Sequence, residues 1–148
     1  MSDTKTTPRL VIRRKLTAPR DRVWAAWTEP EQMRQWAGPG EITVPEVEQD
    51  ARVGGSYRIV MLKPDGERSP VRGVFREIRK PERVSYTWIW EEDSPEQETE
   101  TLVTVEFHDL GNETEVVLTQ EGFASDESRD GHQEGWNGAL DKLANFLS

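Results

Sequence analysis

Proton-transfer chemistry in this 148-residue chain would first be sought at its two histidines, because imidazole is the side chain whose ordinary pKa lies nearest neutrality. Catalysis needs a nucleophile, or an acid and a base, held within hydrogen-bond reach of each other. His108 ends a strand-like segment just before the Asp109–Asn112 turn, where exposure without a role is expected. His132 is better placed, one helical turn before Trp136 on an apolar stripe. It is expected to touch a ligand or to hydrogen-bond a neighbouring loop. Paired with Tyr57 or Tyr86 it would supply the proton-transfer groups of a cyclase or dehydratase. The histidines lack H-x-x-x-H or H-E-x-x-H spacing, and the chain has no cysteine, so no metal site or cofactor is expected. Gly54-Gly55 enters a strand rather than a helix and reads as a bend or bulge, not a phosphate loop. No G-x-S-x-G elbow occurs. No catalytic residue is assigned.

The aromatic residues carry more information. Six tryptophans are present, and Trp36, Trp88, Trp90 and Trp136 come from separate segments that a folded domain could bring together. Indole and phenol rings bury large areas and keep one polar atom for a partner, which suits a cavity wall. Tyr57, Tyr86 and Gln120 share inward faces and could orient a ligand with a few polar contacts. Core filling is the alternative for all of these rings, and it is preferred for Trp24 and Trp27.

The elements that must position these side chains follow from periodicity. Residues 1–9 read as a loose tail and 10–148 as one domain, with a first strand from Leu10 to Leu16. Ala18-Pro19 opens a helix, since proline is tolerated in a first turn, and Val23, Trp24 and Trp27 form its apolar stripe. Thr28 with Glu31 resembles a capping box for a second short helix carrying Met33 and Trp36. Gly38-Pro39-Gly40 stops it. From Glu41 to Gln120 the period becomes two. Ile59 and Met61 share the face of Tyr57, and Val84, Tyr86, Trp88 and Trp90 alternate against polar or outward neighbours. Val105 and Phe107, then Leu118 and Gln120, continue the inward face. The stretch Glu91–Glu100, rich in carboxylates, reads as an exposed loop.

The last helix is the clearest. Trp136, Ala139, Leu140, Leu143, Ala144 and Leu147 form an unbroken stripe. Ser125 followed by Asp126 and Glu127, or Asp130 with Gln133, are alternative starts. Gly135 and Gly138 inside it suggest a close backbone approach. The whole reads as an α+β fold: about six to seven antiparallel strands curl around a long C-terminal helix that covers their apolar face. A helix lying in a curled sheet leaves space, and that space is the expected ligand cavity. Its border is expected to run through Trp36, Tyr57, Ile59, Met61, Tyr86, Trp88 and Trp90, then through Val105, Phe107, Leu118, Gln120, His132, Trp136 and Leu140.

Charge narrows the partners. A net charge of −9 with a pI near 4.8 repels phosphate backbones and anionic headgroups, so neither nucleic acid nor membrane is expected. The basic run Arg13-Arg14-Lys15 is expected to be solvated or paired at a sheet edge. The polar residues 1–8 lack the apolar core of a signal peptide, and a cytoplasmic location is expected.

Several strings resemble one family. They are Ala18-Pro19, Val23-Trp24, Trp27, Pro30 and Trp36, then Gly54-Gly55, Pro81-Glu82-Arg83-Val84 and Tyr86-Thr87-Trp88. Glu121-Gly122-Phe123 and His132-x-x-Gly135-Trp136-x-x-x-Leu140 complete the set. In order and spacing they resemble the START-like superfamily with the helix-grip fold (SRPBCC), in the branch named after activators of the 90-kDa heat-shock-protein ATPase. The resemblance spans about Leu10 to Leu147. It implies one strand, two helices, six strands and a long helix, with an apolar cavity between sheet and helix. The superfamily includes lipid carriers, hormone receptors, polyketide cyclases and oxygenase subunits. The expected function is binding of a small apolar, lipid-like or aromatic molecule, ahead of an enzyme using His132 or a co-chaperone with a protein partner.

Overall fold

In the computed structural model, which describes residues 8–92 and 98–148, the alternating segments pair into one antiparallel sheet. β1 (Arg9–Leu16) precedes α1 (Arg20–Thr28) and α2 (Pro30–Met33). The strands β2 (Thr43–Gln49), β3 (Ser56–Leu62), β4 (Arg68–Arg79), β5 (Arg83–Trp90), β6 (Glu100–Asp109) and β7 (Thr114–Glu121) follow, and then α3 (Asp126–Leu147). The order β1-β7-β6-β5-β4-β3-β2 leaves β1 and β2 as edges of an open, curved sheet, the helix-grip arrangement. The central residues expected in the Glu91–Glu100 loop, 93–97, lie outside the described residues, as do residues 1–7 of the tail. Flanking them, Glu91 pairs with Arg58 at 2.8 Å and Glu98 with Arg72 at 2.7 Å.

Period two places one face of each strand in the core. Val84 lies opposite Val105, which lies opposite Leu118, while Tyr86 faces Val103 and Val103 faces Gln120. Cross-strand neighbours at this spacing pack directly on one another. Register irregularities interrupt β2 between Thr43 and Glu46 and β4 between Phe75 and Glu77. Such bulges bend the bulged strand and sharpen its twist, which helps the sheet wrap.

α3 supplies the cover. Its stripe Trp136, Ala139, Leu140, Leu143 and Leu147 is buried, and Arg14 on β1 reaches Asp141 at 2.8 Å and Asn137 at 3.3 Å. The basic run is therefore partly paired at the edge of the sheet. Of the two starts, Ser125 is the one used: its extended backbone precedes the helix and its Oγ accepts from Ser128 N at 3.1 Å. Ser125→Ala is expected to cost about 1 kcal/mol of stability, read from urea midpoints; an unchanged midpoint would show that the cap contributes nothing.

The capping box expected for α2 does not form. Thr28 is the last residue of α1, and its hydroxyl donates back to Trp24 O at 2.9 Å. α2 instead starts at Pro30 with Glu29 in the N-cap position and no side-chain cap, so Thr28 and Glu31 do not stand at the two ends of a box. The close approach at Gly138 is real, though the neighbour is a loop: a Cβ there would lie 2.9 Å from Pro39 Cβ. α2 already ends at Met33 and the chain continues in turns through Trp36, so Trp36 lies outside the helix expected to carry it and the segment Gly38-Pro39-Gly40 is the seat for α3 rather than the stop of α2.

Candidate functional site

Curling brings the aromatic side chains into one continuous series. Trp24 and Trp27 from α1 meet Phe107 on β6 with ring centroids 5.3 and 5.6 Å apart, and Trp27 meets Trp36 at 4.6 Å. Tyr57, Phe75 and Tyr86 lie mutually within 5.9 Å, and Tyr86 leads to Trp88 at 6.5 Å. Trp88 then touches Trp136 on α3 at 5.3 Å and Trp90 at 5.6 Å. The edge-on and tilted geometries are those that aromatic quadrupoles favour.

These rings fill most of the hollow that the sequence led us to expect open. What remains inside is a chamber of about 20 Å³, walled by Trp27, Trp36, Gln49, Tyr57, Tyr86, Trp88 and Trp136, with Met33, Ala37, Ile59 and Phe75 completing it. The larger space lies at the mouth, between the N-terminal half of α3 and the sheet. This cleft measures about 610 Å³ and is bordered by Pro39, Ile42, Met61, Trp88, Trp90, His132 and Trp136, and by the first turns of α3. Trp88, Trp136 and Ala37 border both spaces and form the partition between them.

Of the residues expected around one cavity, Trp36, Tyr57, Ile59 and Tyr86 reach the chamber, while Met61, Trp90 and His132 reach the cleft. Val105, Phe107, Leu118 and Leu140 border neither; all are buried in the packed core. Their inward face is as expected, but they lie deeper than the free space. Gln120 is buried too, in a hydrogen-bond chain: Trp136 Nε1 donates to its Oε1 at 2.7 Å, its Nε2 donates to Thr101 Oγ1 at 2.8 Å, and Thr101 Oγ1 donates to Trp88 O at 3.2 Å. That chain fixes the Trp136 ring and ties it to the backbone of Trp88. Gln120 therefore positions the site without facing it.

Sequence reasoning missed Met33, Ala37, Pro39, Ile42, Gln49 and Phe75 as wall residues. Pro39 sits in a segment read only as a helix stop, Ile42 lies at the start of the period-two stretch with no face assigned to it, and no alternation marks β2 as strongly as its neighbours. Trp27, preferred as core, is both: it is 2% exposed, yet its ring lines the chamber and its Nε1 donates to Tyr86 Oη at 3.1 Å.

The titratable groups are tied down. Trp90 Nε1 donates to His132 Nε2 at 2.9 Å, so the ring proton sits on Nδ1, which donates to Ser128 O at 2.7 Å. Tyr57 Oη donates to Thr87 O at 2.6 Å. Burial, with Tyr86 beside it, pushes the Tyr57 hydroxyl well above its ordinary pKa; burial does the same to Tyr86, opposed by the bond from Trp27. His132 borders the cleft while both tyrosines border the chamber, so the proton-transfer pair is not assembled. His108 is exposed beside Glu106. Among the described residues no group of three or more His, Asp or Glu side chains could hold a metal ion, and no helix is long and apolar enough to cross a membrane.

Proteins of known structure share this architecture. The AHSA1 protein of Silicibacter pomeroyi is 27% identical with a TM-score of 0.86, over 95% of this chain and 97% of that one. A Chromobacterium violaceum protein is also 27% identical, with a TM-score of 0.85 over 94% and 96% of the two chains. A Rhizobium leguminosarum protein is 29% identical, with a TM-score of 0.79 over 95% and 93%. No curated protein matches the chain. Residues 17–148 match the family model described as Activator of Hsp90 ATPase homolog 1-like protein, and the chain belongs to that family.

Proposed function

We propose that this chain is a binding domain for a small, largely apolar molecule with a flat aromatic or lipid-like body, seated in the cleft at the mouth of the sheet. The observation that carries this reading is the cleft of about 610 Å³ floored by the indoles of Trp88, Trp90 and Trp136. Small-molecule sites typically enclose about 300–1,000 Å³ of mostly apolar wall with a few placed polar groups. Here the walls add Met61, Ile42 and Pro39, and His132 is held by Trp90. Binding ranks ahead of catalysis because His132, Tyr57 and Tyr86 have their polar atoms engaged within the protein and border separate spaces.

Titration with N-phenyl-1-naphthylamine tests it. Probe emission should rise saturably as indole emission falls. Trp90→Ala, which removes a half-buried ring from the cleft, should weaken binding by about tenfold to a hundredfold, as expected for losing about 1.5–3 kcal/mol of apolar contact. A response that stays linear up to millimolar probe would sink the reading.

A further inference from the structure

Two buried polar atoms beside the chamber have no partner among the described residues: Trp88 Nε1 and Gln49 Oε1. The first is a donor and the second an acceptor. Trp88 is 5% exposed. The orientation of the Gln49 amide follows from its neighbours. Its Nε2 faces Trp27 O at 3.3 Å and Met33 Sδ at 3.3 Å; a carbonyl oxygen needs a donor opposite it, so the amide oxygen is the atom left over. Burying such atoms unpaired costs about 1–3 kcal/mol each, and a native interior rarely keeps two in one place without a use for them. Both residues line the chamber of about 20 Å³, and roughly 10–15 Å³ of such space suffices for one water-sized group. The chamber adjoins the cleft across the Trp88–Trp136 partition.

From this we infer that the chamber seats a single hydroxyl group carried by the guest, accepting from Trp88 Nε1 and donating to Gln49 Oε1, while the apolar body lies in the cleft. The inference rests on the binding reading above and narrows it to a class: alcohols or phenols on a flat apolar frame. A hydroxyl is the smallest group offering both a donor and an acceptor, as the two orphaned atoms require. An ether or ketone satisfies only the indole, and a methyl group satisfies neither. A carboxylate would bring charge into an apolar wall with no cation among its lining residues.

Displacement of N-phenyl-1-naphthylamine by three compounds of one shape reads the difference: 2-naphthol, 2-methoxynaphthalene and 2-methylnaphthalene. Wild-type protein is expected to bind 2-naphthol about tenfold more tightly than 2-methylnaphthalene, with the methoxy compound between them, because a site built for a hydroxyl rejects an analogue that leaves its polar atoms unpaired. Trp88→Phe keeps a ring in the partition and removes the N–H, so the preference for 2-naphthol should shrink to about twofold or less. Gln49→Leu should shrink it likewise. Equal displacement by 2-naphthol and 2-methylnaphthalene in the wild type would overturn the hydroxyl assignment while leaving the cleft as a binding site. So would a preference that survives both substitutions. If the probe itself fails to bind, the binding reading falls and this inference with it.

Discussion

Gly73→Ala is expected to destabilise the protein by about 3 kcal/mol or more, at the upper end of overpacking effects. Gly73 lies on β4 directly opposite Tyr57 on β3. A Cβ at that position would run into the carbonyl oxygen of Thr87 and come within 2.6 Å of Tyr57 Cε2. The first obstacle is backbone of the neighbouring strand β5, which cannot rotate away. The second is a ring whose hydroxyl is itself bound to Thr87 O at 2.6 Å. Thermal unfolding should show a midpoint lower by on the order of 10 °C for a chain of this length. A drop of less than about 2 °C would mean that β4 and β5 separate at little cost, and that Tyr57 is not pinned as described. The consequence reaches the site, because Tyr57 and Phe75 form one wall of the chamber.

The second large effect is expected at Gln120, which has no exposed surface. Gln120→Leu preserves volume but leaves the Trp136 indole N–H without its acceptor and Thr101 Oγ1 without its donor. Each orphaned group costs about 1–3 kcal/mol, so a loss of about 2–6 kcal/mol is expected in chemical denaturation. Binding of N-phenyl-1-naphthylamine should weaken as well, since Trp136 is half of the partition between chamber and cleft. Adding Trp136→Phe removes the stranded donor. The double variant should therefore recover part of the loss, a coupling that a thermodynamic cycle reads directly. Strict additivity of the two changes would show that the amide and the indole do not work together.

Much of this architecture is legible in the amino-acid order, for physical reasons that act locally. Side chains in a strand alternate faces whatever the rest of the chain does, so Val84, Tyr86 and Trp88 declare one face of β5 by themselves. The stripe from Trp136 to Leu147 declares α3 in the same way. Ser125 is an N-cap because a short hydroxyl can satisfy a free helical N–H within its own turn. The capping box at Thr28 and Glu31 failed because its geometry depends on where α1 ends, and Thr28 is still inside that helix.

Depth is what alternation does not encode. Phe107, Leu118 and Leu140 point inward just as Trp88 does, yet they are packed core, while Trp88 borders free space on two sides. Which inward residues meet a cavity depends on how tightly the sheet curls and how far Trp27 and Trp36 intrude into it. Both are sums over many distant contacts. The elements, their faces and the aromatic character of the interior are written in the residue order, since those arise from backbone period and side-chain chemistry. That the hollow is nearly filled, that the open cleft lies at its mouth, and that Trp88 and Gln49 leave a donor and an acceptor without a partner among the described residues emerges in the folded chain alone. Those outcomes require chain segments far apart in sequence to meet, and no local pattern specifies the volume left between them.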